Sequence, residues 1–243
     1  MSGDSPFRWR PLRQEEASAA WGLHAQVFAA TPAGMVRPDS LSHFEQHIHM
    51  LGRILGCFAG DQLIAYGVLG IRSETVTHLA GLLALNPADC LRACALDGAA
   101  SLPQWRGQSL HGAAIDARGE LARSLGRTLV LATVAPENMR SLRGLLLHGY
   151  AVHGYATIYG GLPRLLMARD LLQPRQQWQL ALKVAAADHI GHRMALAEGL
   201  LGYGCQQDYA KAWHIEYGKP APAGPGHDGF SCGGAQQQVG PGD

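Results

Sequence analysis

The spacing of apolar residues changes several times along the chain, and each change marks an element. Residues 7–12 alternate apolar and basic side chains, the two-residue period of a strand with one covered face. Residues 15–30 are rich in Ala and Leu, with their acidic residues at the start, where a helix dipole favours them. Ser40 predicts the N-cap of a second helix reaching about Leu51. Two short β patterns, 54–59 and 63–70, flank Gly60, Asp61 and Gln62 and predict a hairpin. Residues 75–90 carry no single period, and Asn86-Pro87 breaks whatever precedes it.

Residues 94–102 read as a strand, in which small residues and Gly98 predict a bulge or a close backbone approach. Leu110, Ala114, Ala117, Leu121 and Leu125 then recur at helical spacing until Gly126 ends the run. Residues 128–134 are almost continuously apolar, as in a strand covered on both faces. A helix from Asn138 to His148 ends at Gly149, and residues 150–159 and 164–170 predict a final strand pair. This order predicts an α/β layered domain, residues 1–172, with a mixed sheet. Residues 173–217 read as a C-terminal helical appendage, with one long amphipathic helix over 176–201. Residues 218–243 are dominated by Gly and Pro and bury too little apolar surface to offset ordering entropy, which predicts a disordered tail.

Composition narrows the function classes. A chain of 243 residues with 47% hydrophobic residues buries one good core. A net charge of +1 supplies no electrostatic reason for a nucleic-acid or anionic-membrane partner. No apolar run approaches the roughly 20 residues of a membrane span. Residues 1–8 lack the apolar core of a secretory signal, and the five cysteines have no framework spacing. A soluble cytoplasmic protein is the expectation.

The chemistry concentrates in residues 102–111 and 133–138. Pro103 ends a strand, Arg106-Gly107 opens a tight loop, and a helix begins with its first amides little obstructed. Unpaired N–H groups and the dipole at a helix start suit a phosphate, so a pyrophosphate-bearing cofactor is implied. Pro103, Arg106, Gly107 and Leu110, followed by Thr133, Val134, Pro136, Asn138, Ser141 and Leu142, then Gly149-Tyr150, together resemble the GNAT superfamily of acetyl-CoA-dependent N-acetyltransferases. Tyr159-Gly160-Gly161 with Arg164 matches a late motif of one bacterial subgroup of that family.

The resemblance implies a mixed, mostly antiparallel sheet with helices on both faces and a splayed central strand pair. It implies acetyl-CoA as acyl donor, and direct transfer in a ternary complex to a primary amine on a small molecule or a protein. Amides of Gly107, Gln108, Ser109, Leu110 and His111 would hold the pyrophosphate, and Arg106 would begin the turn. A main-chain N–H at Ser101 or Leu102 would polarise the thioester, and Asn138 would bond the pantetheine arm. Asp97 is the candidate general base, with a pKa raised by burial and acting directly or through water. Ser109 and His111 replace smaller family residues, and Leu145 stands where the family's proton-donating Tyr is usual, so the thiolate would leave unprotonated, take its proton from solvent, or take it from Ser141 as a weaker substitute donor. The acceptor pocket falls around residues 27–36 and 155–161. The appendage would cover it or form a homodimer contact. The alternative is a CoA- or ligand-binding module of the same fold without catalysis.

Other constellations carry less. His43 and His47 lie one helical turn apart, but HFEQH is not HExxH and no acidic or Cys partner is evident in sequence, so no metal is expected. Cys90 and Cys94 lack a second pair, and Asp188, His189 and His192 read as a solvated helix face. No Gly-x-Ser-x-Gly elbow or GxxxxGK[ST] loop is present.

Overall fold

Four short polar side chains start helices by accepting a backbone N–H three residues on: Ser40 from His43, Asn86 from Asp89, Asn138 from Ser141 and Asp188 from Gly191. The computed structural model describes residues 7–221. Along the chain run β1 (Arg8–Pro11), α1 (Ala17–Ala29), α2 (Leu41–His49), β2 (Gly52–Ala59), β3 (Gln62–Gly70) and α3 (Glu74–Leu82). Next come α4 (Pro87–Arg92), β4 (Ala93–Ser101), α5 (Leu110–Ser124), β5 (Leu129–Val134) and α6 (Met139–Leu147). The chain continues through β6 (Ala151–Ile158), β7 (Leu162–Asp170), β8 (Trp178–Ala185), α7 (His189–Ala197), β9 (Leu201–Gln207) and β10 (Trp213–Pro220).

The strands form one 10-stranded sheet in the order β1-β2-β3-β4-β5-β7-β6-β9-β10-β8. Every neighbouring pair is antiparallel except β4–β5. Alternation along the central strands sorts side chains to two faces. Cys94, Val130 and Ala132 join Ile115 of α5 and Leu142 of α6. Ala93, Ala95, Leu129 and Leu131 join Val76 and Leu79 of α3 instead. Over β2 and β3, Phe44 and Ile48 of α2 are buried against Ile54 and Val68. Each such side chain contributes about 1.5–3 kcal/mol of burial. The unsettled stretch 75–90 resolves into α3 and α4 around the Asn86 cap.

The C-terminal region corrects the sequence reading. No long helix occupies 176–201: the segment holds β8, the short α7 and the start of β9, and the appendage is chiefly β structure continuing the sheet. Ala, Leu and Lys favour a helix in isolation, but Val184 pairs with Ile215 and Leu182 with Tyr217, and strand pairing outweighs that preference. Asp188 caps α7, and Gly199 at φ +74° ends it. The expected tail also begins too early, since residues 218–220 belong to β10. Residues 222–243 lie outside the described residues.

Candidate active site

The two parallel strands share only a short register, Ala93–Leu96 against Leu129–Ala132. Beyond it β4 stays paired with β3 as far as Ser101↔Ala65, and β5 with β7 as far as Val134↔Leu165. The two strands therefore part from each other. A bulge drives the parting: the β3–β4 register shifts between Gly67 and Leu69, opposite Asp97 and Gly98. Gly98 sits at φ +108°, a region side chains avoid. A cavity of about 360 Å³ opens in the gap, lined by Asp97–Ser101 on one side and by Thr133, Val134 and Asn138 on the other.

The turn before α5 borders it through Arg106, Leu110 and His111. Gly107 at φ +84° and Ser109 at φ +55° curl the backbone, and Ser109 is the N-cap. The first intrahelical bond is made by the Ala113 amide to the Ser109 carbonyl, at 3.1 Å. Among the described residues, no protein acceptor takes the amides of Gly107, Gln108, Ser109, Leu110, His111 or Gly112. A second cavity of about 600 Å³ runs along these amides, with Arg106, Arg140 and Arg143 among its walls. Diphosphate chemistry fits this donor set. His111 does not crowd the turn: its Nε2 lies 2.8 Å from where a Cβ on Gly144 would stand, against α6. Burial, helped by the Arg118 charge, lowers its pKa to about 4 and keeps it neutral.

Asn138 is well placed at the cavity wall. Its side-chain oxygen accepts the Ser141 amide at 3.3 Å, which leaves the NH₂ free to donate. Ser141 also lines the cavity. Leu145 is 4% exposed and packed in the core, so it faces no ligand.

Two expectations need correction. The Leu102 amide donates to the Ile64 carbonyl at 2.9 Å, because at that point the strand directs it back to β3. Strand amides alternate, so those of Ser101 and Ala99 turn to the open side. Asp97 is buried, yet its pKa is lowered rather than raised. Burial alone would raise it, but the His47 ring and the charge of Arg37 outweigh that effect. Arg37 Nη2 lies 3.2 Å from Asp97 Oδ1 and Arg37 Nε 2.7 Å from Asp39 Oδ1. Asp97 is thus an ionised, engaged carboxylate, not a base poised by burial.

The opposite wall carries Tyr159, which falls in the expected acceptor pocket, and two arginines to which the sequence assigns no role. Arg37 and Arg164 flank the Tyr159 ring, with guanidinium carbons 5.0 and 5.8 Å from its centroid. Tyr159 Oη stands 3.4 Å from Thr133 Oγ1 of β5, on the same side of the gap. Arg164 is 3% exposed and donates to the Pro163 carbonyl, and among the described residues no carboxylate pairs with it. Its desolvated guanidinium has a lowered pKa. The Tyr159–Arg164 motif was a signal for this wall, but Arg37, Arg140 and Arg143 had none.

No known family profile and no curated protein matches the sequence. Solved structures do match. Salmonella typhimurium yncA, solved with its cofactor acetyl-CoA, superposes with a TM-score of 0.54 at 15% identity, over 70% of this chain and 96% of that chain. The ribosomal-protein-S5-alanine acetyltransferase of Vibrio fischeri gives 0.54 at 13% identity, over 71% and 98%. A GNAT-family acetyltransferase of Streptococcus pneumoniae gives 0.50 at 12%, over 68% and 99%. The chain has the GNAT acetyltransferase fold. Among the described residues no helix is long and apolar enough to cross a membrane.

Proposed function

We propose that the protein transfers an acetyl group from acetyl-CoA to a primary amine by direct attack in a ternary complex. The unpaired amides from Gly107 to Gly112, opening into the gap between β4 and β5, carry this reading. Acetyl-CoA supplies an acyl group activated as a thioester. Amides of Gly107, Gln108, Ser109, Leu110 and His111 hold its diphosphate at the positive end of α5, with Arg106, Arg140 and Arg143 balancing the charge. The Asn138 NH₂ donates to the pantetheine arm. The Ser101 amide, with that of Ala99, polarises the carbonyl. Ser141 Oγ offers a proton at the sulfur, where the core residue Leu145 cannot.

The acceptor enters between residues 30–37 and the β6–β7 hairpin. Among the described residues, Asp39 and Asp97 are the carboxylates lining the cavity, and both are held by Arg37. The amine therefore reacts from its own free-base fraction, and turnover rises with pH toward the amine's pKa. Arg164, a buried cation without a carboxylate, suits an acceptor that carries an anionic group beside its amine.

Leu145 favours one second reading, a module that binds CoA without catalysis. Calorimetric titration with CoA, paired with thiol release from acetyl-CoA over an amine panel, separates the readings. Heat with amine-dependent thiol release is expected. Heat without release leaves the binding module, and absence of heat removes both.

A further inference from the structure

Behind the acceptor wall, four buried polar atoms with no close hydrogen-bond partner among the described residues lie together: His43 Nε2, His47 Nε2, Ser73 Oγ and Asp97 Oδ2, the His47 and Asp97 atoms being in a long 3.4 Å contact. His43 and His47 project from one face of α2, one turn apart. Asp97 sits at the β4 bulge, and one ligand atom from each of these three residues lies within 4.8 Å of the others. His47, Ser73 and Asp97 are 3%, 3% and 6% exposed. Leaving such groups unpaired costs about 1–3 kcal/mol each. Ser73 is the N-cap residue of α3, but its side chain does not cap the helix. A Cβ on Gly70 would stand 2.5 Å from Ser73 Oγ and 3.5 Å from Asp97 Oδ2, so this glycine keeps a small space open between them.

We propose that this chamber binds a divalent transition-metal ion of the zinc class through His43 Nε2, His47 Nε2 and Asp97 Oδ2, with a water held toward Ser73 as fourth ligand. Imidazole and carboxylate ligands of this number suit zinc and leave one open position. His47 Nδ1 donates to the His43 carbonyl at 2.7 Å, which in the neutral ring leaves Nε2 as a lone pair facing inward. That lone pair lies 3.4 Å from Asp97 Oδ2. Two ligands about 2.0–2.1 Å from zinc, set at the tetrahedral angle, stand about 3.3–3.4 Å apart. A direct charge-assisted hydrogen bond would be shorter, at about 2.7–2.9 Å. Side-chain rotation at His43, the least buried of the three, closes the remaining distance. Arg37 on Asp97 Oδ1 supports the ligating carboxylate from outside, as outer-shell partners do. The ion ties α2 to the β4 bulge and so fixes one wall of the acceptor cavity.

The test strips the full-length protein with a chelator and titrates it with cobalt(II) and then zinc(II), following ligand-field absorption and metal content by mass spectrometry. One equivalent per chain is expected, with zinc displacing cobalt. His47→Gln and Asp97→Asn should lose that equivalent. Ser73→Ala should weaken binding about tenfold, as removal of an outer-shell partner does. Far-UV circular dichroism and CoA titration accompany every variant. If a core variant unfolds, His43→Gln decides at a half-buried position, where CoA binding persists and cobalt binding is lost. A folded parent chain that takes up neither metal at micromolar concentration overturns the site and leaves His47 and Asp97 as an ion pair. So does unchanged metal uptake in His43→Gln. Metal uptake without CoA binding would instead count against the acetyltransferase reading and leave this site standing.

Discussion

Arg118 Nη1 donates to the Gly98 carbonyl at 3.1 Å and thereby holds the β4 bulge from the α5 side. The same nitrogen reaches the Val68 carbonyl at 3.2 Å, and Nε reaches Ala114 O at 2.8 Å. The arginine is fully buried, and burial lowers its pKa to about 10, so it stays charged at neutral pH. It needs Gly67 opposite, where a Cβ would come 2.8 Å from Arg118 Nε. Arg118→Met leaves the bulge carbonyls unpaired and should cost at least about 2 kcal/mol. Urea unfolding reads the loss, and CoA affinity should fall with it because the strand parting relaxes. Unchanged affinity in a destabilised variant would separate the bulge from the cofactor cleft.

The turn before α5 makes a sharper test of the cofactor assignment. A Cβ on Gly107 would meet no atom within 4 Å, and this residue lines the second cavity, so a side chain here meets no steric bar from the fold at its first carbon. Gly107→Glu should therefore remain folded, at a cost of about 1–2 kcal/mol for the left-handed backbone, and lose CoA binding through charge repulsion. Calorimetric heat equal to that of the parent protein would refute the loop as the phosphate cradle.

His111 makes stability depend on pH with a definite sign. Its folded pKa of about 4 lies below the ordinary value of 6.5, so the unfolded chain binds the extra proton between those limits. The contribution is complete above about 6.5 and is lost as pH falls through about 4. Its slope cannot exceed about 1.4 kcal/mol per pH unit for one proton. His111→Asn should flatten unfolding free energy against pH in that window. An unaltered curve would mean that the imidazole is already protonated in the folded state.

What the sequence made legible was local. Gly107, the start of α5 and the Asn138 cap are read from adjacent residues, and the amides they expose follow from helix geometry. The C-terminal strands were not legible, because composition at Leu180, Ala181 and Lys183 points to a helix and only pairing with β10 overrides it. The position of Asp97 is legible in the sequence but its electrostatics are not, since Arg37 lies 60 residues away in sequence. A comparable separation in sequence hides the carboxylate that approaches His43 and His47. Leu102 was misassigned for a subtler reason: strand phase, which a one-residue shift inverts, decides which amide faces the gap.

Arg164 gives the acceptor its most specific test. Its guanidinium is buried at the cavity wall beside Tyr159, with one carbonyl partner and no carboxylate among the described residues. A desolvated cation of this kind gains most from an anionic ligand. Arg164→Gln should raise KM about ten- to a hundredfold for amines bearing a carboxylate or phosphonate, on the order of 1.5–3 kcal/mol for a charged hydrogen bond. Uncharged amines should change little, and CoA affinity should hold. An equal loss for charged and uncharged acceptors would assign Arg164 to the architecture of the β6–β7 hairpin, because only a residue that touches the acceptor's anionic group distinguishes the two.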